Sequence, residues 1–156
     1  MPDKAANADV IFNSEFRHGC DEKRRIQIPS AWRAGVGATQ FTLILWPQGK
    51  EGACLRGLPP KKMWQLIAEL DAIPSSDPSK QVLKRFIGSQ SVQVHLDKAG
   101  RICVPENLAT AANIRVGEEV VLVGLLDRFE IWAADRYALV RTADAFHADA
   151  AMKRMG

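Results

Sequence analysis

The sequence predicts a mainly β protein with short helices, an α+β chain whose two related units pack as halves of one pseudo-symmetric barrel. Three observations predict this. The phrase DEKRRIQIP at Asp21–Pro29 returns as DKAGRICVP at Asp97–Pro105, with Asp, Arg, Ile and Pro in register, the mark of an internally duplicated structural unit. The residues around each copy alternate between apolar and polar, the period of a strand with one buried face. A unit of about 70 residues with a few short strands is too small to hold a stable core without staples, so the two units must share one.

Taken in order, VIFNSEFRHGC reads as a strand entering the first phrase and RIQIP as the strand leaving it. Aligning the copies on their Asp residues matches Phe16 with Val92, His18 with Val94, Cys20 with Leu96, Ile26 with Ile102 and Ile28 with Val104. One face is therefore apolar in both copies. The opposite face carries Arg17, Asp21, Arg25 and Gln27 in the first and Gln93, Asp97, Arg101 and Cys103 in the second, because neighbouring side chains of a strand point apart.

Pro29 and Pro105 end the outgoing strands and begin short helices, SAWRAG and ENLATAANI, proline being suited to a first helical turn. Apolar strands follow, FTLILW in one copy and EVVLVGLL in the other. PPKKMWQLIAEL places Met63, Leu66, Ile67 and Leu70 at helical spacing, a core-facing stripe. IPSSDPSKQVLKRF has the Ser, Pro and Asp content of a linker, with Asp77 and Pro78 offering a helix cap and first turn. FEIW reads as a strand, and an Ala-rich helix runs from about Asp135 to Met152. The organisation expected is a first unit over 10–73, a linker over 74–86, a second unit over 87–140 and a helical tail over 141–156.

Lys and Arg number 21 against 18 Asp and Glu, a balance too mild to name a partner by itself, so the distribution of charge carries the argument. No segment has the apolar length of a membrane span, and the N-terminal stretch lacks a signal-peptide run. A cytoplasmic protein is expected. Cys20, Cys54 and Cys103 are scattered singly without metal-ligand spacing, so reduced thiols and no metal or cofactor are expected. The HGCD stretch, His18 to Asp21, suggests an activated thiol. The second copy, however, has Val94 and Leu96 at the His and Cys positions, which favours packing over catalysis and leaves an enzyme as the weakest reading.

At DxxxR, present as Asp21 to Arg25 and again as Asp97 to Arg101 and each time followed by an apolar residue and proline three and four positions on, the chain resembles the MraZ family. The resemblance covers about Phe12 to Tyr137. It implies two AbrB-like swapped-hairpin units in a double-split β-barrel, and a transcriptional regulator associated with the nucleoid. It further implies a ring-shaped homo-oligomer that binds repeated boxes upstream of its own gene and the division and cell-wall gene cluster, with the DxxxR arginines facing double-stranded DNA. Two departures stand out: Arg24 occupies the place of the glycine seen at Gly100, and QGKEGA lengthens the connection after FTLILWP. If that glycine requires positive φ, Arg24 is expected to force another turn shape.

The window Arg17–Arg33 holds five cations, Arg17, Lys23, Arg24, Arg25 and Arg33, against two carboxylates, whereas Gln93–Ala109 is neutral, with Lys98 and Arg101 balanced by Asp97 and Glu106. The first copy is thus expected to make the closer contact, with Arg25 reading guanine and Lys23 and Arg24 holding phosphates, and Arg17, Arg33 and Lys98 are further candidates for DNA contact. Asp21 and Asp97 are expected to form salt bridges that fix each hairpin. Arg101 is divided between that structural role and DNA contact. Two other readings compete: an AbrB- or antitoxin-type regulator acting as a simple dimer, and a ring-forming scaffold that binds protein.

Overall fold

A computed structural model describes residues 10–33, 40–47 and 49–156. The Ala-rich start, the end of SAWRAG and Gln48 of QGKEGA lie outside the described residues. In chain order the elements are β1 (Glu15–Gly19), β2 (Arg25–Gln27), a 3-10 turn at Ser30–Arg33, β3 (Gln40–Trp46), β4 (Cys54–Leu58), α1 (Pro60–Ala72) and α2 (Ser79–Ser89). The second half repeats the strand plan with β5 (Ser91–His95), β6 (Arg101–Cys103), α3 (Glu106–Ala111), β7 (Glu119–Gly124), β8 (Phe129–Ala133) and α4 (Ala134–Met152).

Six strands form one antiparallel sheet in the order β1-β7-β8-β4-β3-β5, while β2 and β6 form a separate antiparallel ribbon. Exchanging each strand for its counterpart, β1 for β5, β2 for β6, β3 for β7 and β4 for β8, reads the sheet order backwards and maps the ribbon onto itself. The duplication seen in the sequence is therefore a pseudo-twofold axis, passing through the paired Ile26 and Ile102. The hairpins are exchanged between repeats: β1 of the first pairs with β7 of the second, and β5 of the second with β3 of the first. The mainly antiparallel α+β architecture is as expected, without a closed barrel. The sheet ends at β1 and β5, and the ribbon lies against its inner face instead of completing a hydrogen-bonded circuit.

The main core lies between that inner face and the ribbon. Ile26, Ile28, Ile102 and Val104 are wholly buried there with Phe41, Leu43, Leu55, Leu122, Phe129 and Ile131. Trp32 fills its centre, its ring centroid 5.2 Å from that of Phe129 and 5.6 Å from that of Phe12, with its indole N–H donating to the Asn13 carbonyl at 3.0 Å. Gly57 makes room for this cluster, since a Cβ there would sit 2.2 Å from the Phe129 ring.

The outer face is covered too. α1 and α2 bury Leu70 and Ile87 against Ile44 and Leu58, with Met63 and Leu66 packed alongside, and α4 sets Tyr137 against Trp132, Val121 and Cys54. Between these clusters a cross-strand pair is sealed in, Arg56 Nε donating to Glu130 Oε2 at 3.1 Å while Trp132 donates to Glu130 Oε1 at 3.0 Å. With every acceptor oxygen engaged, this pair tolerates burial. Two readings change. β4 was not foreseen, and much of the expected linker is helix α2, whose first turn begins where Asp77 Oδ1 accepts the Ser79 backbone N–H at 2.9 Å.

Candidate nucleic-acid interface

Both copies of the repeated phrase fold into the same tight turn. Asp21 Oδ1 accepts the backbone N–H groups of Lys23 at 2.9 Å and Arg25 at 2.8 Å, and Asp97 Oδ1 accepts those of Ala99 and Arg101, each at 2.9 Å. A short acidic side chain at the head of a turn suits this role because it reaches the amides two and four residues on. The fourth residue then needs left-handed backbone, φ 58° at Arg24 and 78° at Gly100. The expectation of a different turn shape at Arg24 is corrected: the arginine adopts the glycine's conformation, and the Arg24 N–H donates to the Asp21 carbonyl at 2.9 Å as that of Gly100 does to Asp97 at 3.0 Å.

The fifth residue is the motif arginine. Arg25 Nε donates to Asp21 Oδ2 at 2.7 Å and Arg101 Nε to Asp97 Oδ2 at 3.0 Å. Both arginine side chains keep about a third of their surface exposed, 33% and 32%, so neither is sealed in the core. The bonds to the carboxylates are made through Nε, and Arg101 Nη1 also comes within 4.0 Å of Asp21 Oδ2. Asp21 therefore faces both arginines. Each carboxyl is held below the usual Asp range, first by the backbone N–H of its own motif arginine and then by further amide and guanidinium donors.

The β2–β6 ribbon fixes how these groups stand to one another. Arg25 pairs with Cys103 and Gln27 with Arg101, all on the face opposite the buried Ile26 and Ile102. Gln27 Nε2 donates to the Ala99 carbonyl at 2.9 Å, and at the equivalent place Cys103 Sγ lies 3.3 Å from the Lys23 carbonyl. Gln27 and Cys103 thus lie on the face to which alternation along RIQ and RIC assigns them.

The other nominated cations divide. Lys23 and Lys98 sit exposed at the two turn tips. Arg24 Nε donates across the ribbon to the Val104 carbonyl at 3.0 Å, and Arg33 Nε donates to the Ile28 carbonyl at 2.9 Å. Arg33 lies over the second turn, where a Cβ on Gly100 would come 2.2 Å from its Nη1. The greater basicity read for the first copy is therefore redistributed in space, because Arg33 belongs to the neighbourhood of the second hairpin. Arg17 stands apart from the cluster. It is paired in register with Val121 on the sheet face that α4 covers, and it bridges to Glu119 at 3.0 Å.

At HGCD, Cys20 is 2% exposed within the main core, and burial, reinforced by the Asp21 charge, pushes its thiol pKa up. That is the reverse of what an activated nucleophile requires. Among the described residues no group of three or more His, Cys, Asp or Glu could hold a metal ion, and no helix is long and apolar enough to cross a membrane.

A family model described as "MraZ protein, putative antitoxin-like" matches residues 88–155. The Transcriptional regulator MraZ of Lactiplantibacillus plantarum is 33% identical over 139 residues, which cover 89% of this chain and 94% of that protein. The chain belongs to the MraZ family of transcriptional regulators. MraZ relatives of the same name from Herpetosiphon aurantiacus, 33% identical over 141 residues, and Leuconostoc mesenteroides, 32% over 138 residues, match 90% and 87% of the chain and 93% and 92% of their own lengths. The MraZ likeness thus takes in both hairpins and the ribbon between them.

Proposed function

We propose that the ribbon face is the surface through which this regulator recognises DNA in a sequence-specific way. The observation that carries the reading is the paired constellation at Arg25 and Arg101, each pinned through Nε by its Asp and each a third exposed. A guanidinium restrained in this way loses little further freedom when its terminal nitrogens meet guanine N7 and O6 in the major groove. Lys23, Lys98 and the terminal nitrogens of Arg24 lie nearby to meet phosphates, which position the protein without reading sequence. The Asp residues orient the arginines and are not themselves DNA contacts.

A net charge of +3 on the whole chain makes a single subunit a weak binder, so affinity comes from several copies engaging several boxes. Multivalency of this kind gains on the order of 100-fold over one contact. The protein accordingly acts as a ring-shaped homo-oligomer on repeated boxes upstream of its own gene and the division and cell-wall genes, in the cytoplasm at the nucleoid. Met63, Leu66, Leu70 and the FEIW strand are used by the chain's own core, which leaves exposed Trp64, Val82, Leu83 and Phe86 on α1 and α2 and Phe146 on α4 for assembly.

The test is a protection and titration experiment on DNA from upstream of the protein's own gene, with mass measured on the same samples. Arg25→Ala is expected to abolish protection while mass stays at the wild-type value. Protection unchanged with the assembly intact, or a single-box duplex held as tightly as a multi-box one, refutes the proposal.

A further inference from the structure

The geometry points to a shared device at the two places where the hairpin turn of one repeat meets the start of the other repeat's helical segment: each junction holds one guanidinium, supplied from opposite sides, and we propose that both serve as phosphate clamps. The inference rests on the ribbon face being the DNA surface. It concerns Arg33, which serves the second hairpin as Arg24 serves the first.

The pseudo-twofold axis makes the comparison residue by residue. Arg24 corresponds to Gly100, and Arg33 corresponds to Ala109. The first repeat therefore has arginine at both positions and the second at neither. In space they are shared out. Arg24 leaves the first turn and donates through Nε to the carbonyl of Val104, while Arg33 comes from the 3-10 turn of the first repeat and donates through Nε to the carbonyl of Ile28. Ile28 and Val104 are themselves counterparts, each the last residue before the proline that ends its strand. The same chemical contact, Nε–H to a strand-end carbonyl, is thus made once at each junction.

Gly100 is what permits the exchange. Its missing side chain leaves the space that the Arg33 guanidinium occupies, and Gly100 is buried beneath it although it sits at a turn. Regrouped by position, the first turn carries Lys23, Arg24 and Arg25 against Asp21 and Glu22, a net +1, and the second carries Lys98, Arg101 and Arg33 against Asp97, a net +2. Counted over the turns alone, Asp21–Arg25 and Asp97–Arg101 each carry a net +1 in sequence, and Arg33 makes the second the more basic once folded. In both junctions Nε is anchored to backbone, which fixes the plane of a fork suited to grip a phosphate.

The test exchanges the source of the guanidinium. Titrations of the upstream duplex across a salt series compare wild type, Arg33→Ala, Arg33→Gln and the double variant Arg33→Ala with Gly100→Arg, with thermal midpoints alongside. Arg33→Ala is expected to weaken binding about 10-fold and to lower the slope of log K against log salt by roughly one unit per engaged subunit. The double variant places arginine where Arg24 stands in the first repeat, and Arg24 shows that arginine accepts this backbone, so slope and affinity return to within about 3-fold of wild type. Arg33→Gln keeps a polar donor for Ile28 without the charge and reduces the slope as alanine does, which decides the matter alone if the alanine or double variant does not fold. Wild-type slope and affinity in Arg33→Gln, or a folded double variant that regains neither, overturns the inference. Arg25→Ala separates the two levels: loss of binding there with none at Arg33 sinks only this proposal, whereas no loss at Arg25 removes the DNA surface on which it stands.

Discussion

The turn at Asp21–Arg25 and the turn at Asp97–Arg101 share backbone hydrogen bonds, an Asp that accepts two amides, and an arginine held through Nε. They differ at the fourth residue, arginine in one and glycine in the other, with φ 58° and 78°. Geometry has been kept while its chemical source has changed. The first turn accepts the strain of a side chain in the left-handed region, about 1–2 kcal/mol, and recovers part of it through the bond from Arg24 Nε to the Val104 carbonyl, worth about 0.5–1.5 kcal/mol net. The second turn is unstrained and takes its guanidinium from Arg33.

The comparison breaks most severely at its axis. Ile26 and Ile102 face each other beneath the ribbon, both wholly buried. Truncating either to alanine is expected to cost about 2–5 kcal/mol, and the two losses should agree within about 1 kcal/mol because their surroundings are related by the pseudo-axis. Chemical denaturation measures both. A double truncation should fall short of the sum, since neighbours that share a cavity do not add. A loss near zero at one site and large at the other would mean that the ribbon is not a symmetric keystone.

The fourth turn position sharpens the contrast. Gly100→Ala introduces left-handed strain and drives a Cβ against the Arg33 guanidinium, so a loss of about 1–3 kcal/mol is expected. Arg24→Gly relieves strain but loses one hydrogen bond, and its net effect should stay within about 1 kcal/mol. Thermal midpoints of the two variants test this directly. Equal losses would show that the turns are not conformationally equivalent.

The smallest expected effect is common to both turns. Asp21 and Asp97 have folded pKa values below the ordinary carboxylate range, so in the unfolded chain they bind protons near pH ~3.9 while the folded chain still holds them ionised. Their contribution to stability is complete above that unfolded value and is lost as pH falls through the depressed folded values. Asp21→Asn and Asp97→Asn should each flatten the acid limb of a stability–pH curve below about pH 4 and leave its shape near neutrality unchanged. Asp21, which also faces Arg101 at 4.0 Å, should give the larger change. A steeper acid limb in either variant would contradict the direction of the shift.

What the sequence disclosed follows from whether the signal was local. The duplicated phrase, the alternation around it, Pro29 and Pro105 as strand ends, and the Asp–Arg bridges could all be read because their partners lie within a few residues. β4 escaped because helices cover the outer face of the sheet: Cys54, Leu55, Gly57 and Leu58 are all buried, which removes the polar alternation that reveals a half-exposed strand. α2 was obscured by the Ser and Pro residues before it, although Asp77 marked its cap. The place of Arg33 was illegible for a different reason. Its partner is a space left by Gly100 in the other repeat, and a missing side chain across a pseudo-axis leaves no trace in the residues beside either one. The open sheet with its separate ribbon was likewise invisible, since strand count alone does not say whether edges meet.

The exchange of hairpins between repeats has a consequence for synthesis. While the nascent chain has yielded only its first half, β1 has no β7 to join and β3 lacks β5 along one edge. Unsatisfied strand edges stay available to other chains until the last third of the protein has emerged. Pairings so distant in sequence make for slow closure, so truncation after α1 should produce a sticky fragment and not a miniature of the whole.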